Sequence, residues 1–177
     1  LGTRADSIPA SLPYLSVQTD LRDRWLAQRP PQGLQVGLVW KGNPRFENDA
    51  DRSLRSVLDL APLWQVPHIQ FVSLQKGAGE QEADEVQPTQ PLLNLGAQLG
   101  DFADTAALVV QLDLVICVDT AVAHLAGALG VPCWIMLPAH MTDWRWLAQG
   151  DTSAWYPGHV RLYRQTQRGD WSGVIAA

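Results

Sequence analysis

Residues 114–137, LVICVDTAVAHLAGALGVPCWIML, run as apolar stretch, tight turn, small-residue helix, glycine stop and second apolar stretch. The apolar parts are too short to span a membrane. They read as buried strands over 114–118 and 133–137, joined by a helix over 120–129 that Gly130 stops before Val131-Pro132 opens the next strand. A parallel α/β sheet built this way turns a helix N-terminus toward ligand space, and such an end attracts anions. Asp119 and Thr120 stand where the strand gives way to the helix, and His124 follows Thr120 by four residues.

The same alternation extends upstream. Strands are expected over 35–40, 69–74 and 92–95, and helices over 53–64 and 102–112, with a polar loop over 41–52. The stretch 75–91 is too acidic and too interrupted by proline for a core element, and reads as a loop or a frayed helix. Repeated strand-helix units with short connections imply right-handed crossovers and a doubly wound parallel sheet. Residues 1–34 carry Pro9, Pro13, Pro30 and Pro31 around one helix expected over 19–28, whose Leu21, Trp25 and Leu26 share a face. This part is read as a lead-in segment packed on a domain spanning 35–177. The chain starts at Leu1 rather than Met, which leaves room for a longer parent.

Composition narrows the function. With 177 residues, 46% of them hydrophobic, the chain has the size of one domain with a proper core. A formal charge of -5 argues against a broad nucleic-acid surface, so any phosphate site is local. No signal peptide and no apolar run long enough for a membrane span is seen. Cys117 and Cys133 lie inside expected strands and lack metal-type spacing, so they read as small core residues in a reducing, cytoplasmic setting.

In an open parallel sheet ligands sit beyond the carboxyl ends of the strands. Four places there carry chemistry: Lys41-Gly42-Asn43-Pro44, Gln75-Lys76-Gly77, Asp101-Phe102 and Asp119-Thr120-Ala121. With Asp119 as N-cap, its carboxylate would take an amide hydrogen of Ala121 or Val122, leaving other amides and the Thr120 hydroxyl for a ligand. His124 lies one turn on, placed to bond a phosphate oxygen, although a capping aspartate and a helix-surface histidine are equally good structural readings of the pair. The dinucleotide-binding pattern G-x-G-x-x-G is absent.

The motifs VDTAVAHLAGALGVPCWIMLP, DWRWL and WYPGHVRLYRQTQRGDW, with VGLVWKGNP, Arg52-Ser53 and FVSLQKG upstream in the same order, resemble the C-terminal half of GT-B glycosyltransferases. Within these, the resemblance is to the heptosyltransferase-like family 9 and its relatives fused to tetratricopeptide repeats, and it covers 35–171. It implies a Rossmann-like domain that holds a nucleotide-sugar donor, while a missing N-terminal lobe supplies most of the acceptor site and the catalytic base. Asp119, Thr120, Ala121 and His124 then match an Asp-Thr-Gly-x-x-His element around the donor's diphosphate and proximal sugar, with Ala121 in place of the usual glycine. Arg52 matches a basic residue that, with His124, would stabilise the leaving diphosphate. Lys41 and Gly42 would line the phosphates, Gln75 the ribose, and Phe102 the base. The resemblance therefore implies glycosyl transfer to a protein or glycan acceptor with no metal and no separate cofactor.

Two other readings stay open. One is a chemically silent glycosyltransferase-like interaction module, for which Ala121 is the best argument; the other is a sugar-nucleotide epimerase, which needs its own acid and base in the cleft. Weaker candidates are Trp144-Arg145-Trp146, expected to bury one indole and half-expose the other, and His140 beyond a strand end. His68 and His159 form no constellation. Glu80, Glu82, Asp84 and Glu85 read as a solvated face rather than a metal cage.

Overall fold

The computed structural model describes residues 2–9, 11–29, 33–85 and 92–177. Its strands are β1 (Leu34–Val39), β2 (Ile69–Ser73), β3 (Leu92–Asn94), β4 (Leu114–Val118), β5 (Cys133–Leu137) and β6 (Val160–Arg164). Its α-helices are α1 (Thr19–Leu26), α2 (Asp49–Arg52), α3 (Glu82–Glu85), α4 (Phe102–Val109), α5 (Ala121–Ala128) and α6 (Ser172–Ile175). The strands form one sheet in the order β3-β2-β1-β4-β5-β6, every pair parallel. This is the doubly wound α/β arrangement expected from the alternation, and the order reverses between β1 and β4.

Period-two alternation along the strands feeds two cores. Val115, Cys117, Ile135 and Leu137 face one layer together with α4, α5 and Trp25, while Leu38, Ile116, Val118 and Met136 face the other with Leu54, Leu60 and Trp171. Both cysteines are free and buried among these side chains, in keeping with their reading as core residues.

Helix α5 ends as its glycine demands. Gly130 adopts φ 72°, with Gly130 N–H bonding Gly127 O and Val131 N–H bonding Ala126 O, the paired closure of a Schellman end. Helix α4 starts on Asp101, whose carboxylate accepts from the amides of Ala103 and Asp104. The lead-in packs where expected: α1 lies on α4, the indole of Trp25 is buried and donates to Asp104 (3.0 Å), and Arg24 pairs with the same carboxylate. Ala128 O accepts from Tyr14 and Leu15, tying the extended lead-in to the end of α5.

Three expectations need correction. The helix expected over 53–64 is a 3-10 helix over Val57–Gln65, because Pro62 inside it has no N–H for an α-helical bond. The polar loop 41–52 ends in the short helix α2, and β6 was not foreseen although Val160 and Leu162 are buried in alternation. The part of the polar stretch at 86–91, like Pro30 and Pro31, lies outside the described residues; its earlier part holds α3. At its ends the sheet is guarded: β3 has three described residues, and on the outer side of β6 its exposed Arg161 pairs antiparallel with Thr152 and forms an ion pair with Asp151.

Candidate functional site

A cleft of about 680 Å³ opens over the carboxyl ends of β1, β2, β4 and β5, at the point where the strand order reverses. Lys41, Gly42, Arg52, Gln75, Phe102, Asp119, Thr120, Ala121 and His124 all line it. The topology thus gathers into one concavity residues that lie as much as 83 positions apart in sequence (124 − 41).

Arg52 is held from three sides. Its Nε donates to Asp49 (3.1 Å), its Nη1 donates to the carbonyl of Asp119 (3.1 Å), and its guanidinium lies 4.3 Å from the ring centre of Phe46. The bond to Asp119 O fixes the cation at the mouth of α5. The cap there is not Asp119 as expected: Thr120 occupies the N-cap position with φ -140° and ψ 171°, and among the described residues no side chain caps the helix. The aspartate sits one residue too early, so its carboxylate misses the first-turn amides. Those of Ala121 and Val122 are left without intrahelical acceptors on the wall of the cleft. The Thr120 hydroxyl, expected to be a ligand donor, is buried and finds no partner among the described residues.

His124 is fixed as firmly. Its Nδ1 lies 3.0 Å from the Tyr156 hydroxyl, and its ring stacks on Trp146 at 4.9 Å with an interplanar angle of 19°. Burial holds its pKa below the usual histidine range, so the ring is neutral at neutral pH. Burial has the opposite effect on Asp119, raising its carboxyl. Among the described residues the Trp146 indole N–H makes no hydrogen bond of full geometry, yet it is near enough to favour the Asp119 carboxylate. Asp143, also on the cleft wall, disfavours it by like charge.

The loops after β1 and β2 lock each other. Gln75 is buried; its Oε1 accepts from the amides of Trp40 and Lys41, and its Nε2 donates to the carbonyls of Lys41 and Ala78. Glu82 accepts from the Trp40 indole, the Val57 amide and the Lys41 ammonium. Glu82 is therefore an anchor rather than part of a solvated face, and its hydrogen bonds outweigh its burial to hold its carboxyl below the usual range. Glu80 likewise folds back on Lys76 and the Gly77 amide, and Asp84 accepts from Asn94. Each cation on the cleft wall, Lys41, Lys76 and Arg52, thus has a carboxylate partner.

Phe102 stands exposed at the far rim, free to lie against a flat ring. Trp146 is fully buried and Trp144 exposed, the split expected for that pair, whereas His140 does not line the cleft and its carbonyl accepts from the buried Asn48 amide. Phe46, Asn48 and Tyr156 were not singled out from sequence, Glu82 was read as part of a solvated face, and Trp146 was a weaker candidate that proves to stack on His124. Trp146 and Tyr156 stand in the motifs DWRWL and WYPGHV, but their contact with His124 has no local signature.

Gly42 exists for Arg52. A Cβ there would lie 2.6 Å from Arg52 Nη2 and 2.7 Å from Asp49 Oδ1, both ends of side chains that can move. The Gly42→Ala variant is expected to melt within a few degrees of the parent while losing roughly tenfold in nucleoside diphosphate affinity as the guanidinium shifts, about the loss of one charged hydrogen bond. Parallel melting and titration curves check this.

Residues 65–137 match the model of glycosyltransferase family 9 (heptosyltransferase). Protein FlbA of Caulobacter vibrioides is 31% identical over 177 residues, covering 97% of this chain and 29% of that protein. Three solved structures share the fold. E. coli ADP-heptose lps heptosyltransferase II superposes with TM-score 0.61 at 15% identity over 92% of this chain and 49% of that one. A family 9 glycosyl transferase from Veillonella parvula superposes with 0.59 at 12% identity over 92% and 46%. E. coli heptosyltransferase WaaC with ADP superposes with 0.53 at 16% identity over 97% and 51%. The chain spans less than a third of its sequence relative and about half of each structural one.

Proposed function

From a glycosyltransferase family 9 match on a heptosyltransferase-like fold, we propose that this lobe holds a nucleotide-sugar donor and, completed by an N-terminal acceptor lobe, transfers the glycosyl group without a metal. The observation that carries the reading is the convergence at the switch point. An uncapped helix start, Arg52 bonded to the Asp119 carbonyl, and the His124 ring line one cleft long enough to end at Phe102. The diphosphate lies against the first turn of α5, where amide hydrogens and Arg52 meet its oxygens, and the charge that grows there as the glycosidic bond breaks is stabilised in place. The base lies toward Phe102. Asp119 takes a hydroxyl of the sugar, because a buried carboxylate is a strong acceptor. Gln75 serves the site by shaping the loops rather than by touching ribose, since its amide is already engaged.

ADP is the first nucleotide to test, since the names of two structural neighbours carry ADP-heptose or ADP. The acceptor is a protein or a glycan, its binding lobe and tetratricopeptide repeats would come from partner segments, and free buried thiols suit a cytoplasmic setting. Titration calorimetry of the lobe with ADP, UDP and GDP tests the proposal: one of the three is expected to bind in the micromolar to millimolar range. Silence from all three at millimolar concentration overturns it. Ala121, whose methyl group lines the cleft, supports a second reading as a silent interaction module. Binding that appears only in an Ala121→Gly variant would favour that second reading.

A further inference from the structure

We infer that Tyr156 is a positioning residue that holds His124 in its neutral Nε2–H form, so that one ring N–H faces the cleft. The inference deepens the donor-site reading and rests on it for what that N–H meets, but the tautomer itself is open to measurement without ligand.

A neutral imidazole donates at one nitrogen and accepts at the other. Phosphate oxygens only accept, so a neutral His124 that serves a diphosphate must carry its proton on Nε2. The partner of Nδ1 must then donate. A backbone carbonyl or a carboxylate at that place would pull the proton onto Nδ1; a phenol is able to give one, and the Tyr156 hydroxyl stands 3.0 Å from Nδ1.

The surroundings are built to keep it there. Tyr156 lies against α5 at Gly127, where a Cβ would come within 2.4 Å of the ring's Cγ, so only glycine admits the tyrosine so close. The Tyr156 amide donates to the buried Ser153 hydroxyl, and the Trp146 stack fixes the plane of the imidazole that Tyr156 fixes in rotation. Burial and the nearby Tyr14 hold the phenol well above the usual range, so it keeps its proton throughout the physiological interval. Around His124, Asp119 and Asp143 favour the charged ring, whereas burial and Arg145 favour the neutral one.

Ring nitrogen NMR on the lobe, with labelled histidine and a His124→Asn variant to assign the signal, reads the tautomer directly. The wild type is expected in the Nε2–H form at neutral pH. Tyr156→Phe is expected to give a mixture of tautomers and to weaken ADP roughly five- to tenfold, the loss that follows removal of one neutral hydrogen bond. Gly127→Ala, which displaces the tyrosine without deleting it, is expected to give the same mixture. A wild-type ring that is Nδ1–H or an imidazolium at neutral pH, or a tautomer unchanged by both variants, overturns the inference. The expected tautomer shift together with no affinity for any nucleoside diphosphate overturns the donor-site reading and leaves Tyr156 as the residue that orients His124.

Discussion

Replacing Arg52 by glutamine is expected to weaken ADP binding roughly 10- to 100-fold while leaving the lobe folded. A hydrogen bond to a charged group contributes about 1.5–3 kcal/mol, and about 1.4 kcal/mol is a factor of ten in affinity. Arg52 is the cation joined to the start of α5 through the Asp119 carbonyl, and among the described residues nothing bonds its Nη2. Lys41 is no substitute, because Glu82 holds its ammonium. The fold should survive, since Asp49 keeps its bond from the Ser53 hydroxyl after the guanidinium is gone. Calorimetry on the variant with ADP and with AMP checks the result, AMP being affected less because it lacks the second phosphate. Equal ADP affinity in parent and variant would remove Arg52 from the site.

The Asp119→Asn variant is expected to gain stability and lose discrimination. Burial puts the folded pKa of Asp119 above its value in the unfolded chain, so the folded state pays for the ionised form. That penalty is complete above the folded value and fades as pH falls through it toward the ordinary 3.8. A neutral amide is free of it. A gain of about 1 kcal/mol would appear as a rise of about 2–4 °C in Tm for a domain of this size, so a rise of a few degrees is the expected reading. The gain over the parent should shrink as the melts are taken to acidic pH. In exchange, a nucleotide sugar should bind no better than the bare nucleotide once the carboxylate that accepts the sugar hydroxyl is gone. A variant less stable at neutral pH than the parent would show that the carboxylate is structural instead.

What could be read beforehand is what is local. LVICV and CWIML announce buried strands by their unbroken apolar runs, and Gly130 announces a helix end through its need for positive φ. The residues that follow each strand were legible as a site because a parallel sheet brings them to one side; Lys41, Gly42, Gln75, Phe102, Asp119, Thr120 and Ala121 stand at such places, His124 lies one helical turn on, and Arg52 was matched through the family resemblance, and all nine line the cleft. The strand β6 was missed since five residues containing two arginines do not look apolar, and Pro62 was passed over although it announces the break with α-helical bonding. Distance in sequence hid the rest. Lys41 and Glu82 are 41 residues apart and His124 and Tyr156 are 32 apart, so nothing in either neighbourhood tells of the other. Whether Asp119 or Thr120 caps α5 depends on one residue of phase, which side-chain type alone leaves undecided because both are good caps.

The guarded rims of the sheet have a consequence for how the lobe behaves as a building block. Open β-edges act as templates on which further chains add strands, and natural proteins blunt them with brevity and charge. Here one rim has only three described residues, and the other carries an exposed arginine beside a bridge running in the opposite sense. Among the described residues neither rim offers a long flat row of free peptide groups. By this rule the described rims of the sheet give a further chain little template to extend, which keeps the binding cleft, rather than a sheet edge, as the lobe's exposed recognition surface.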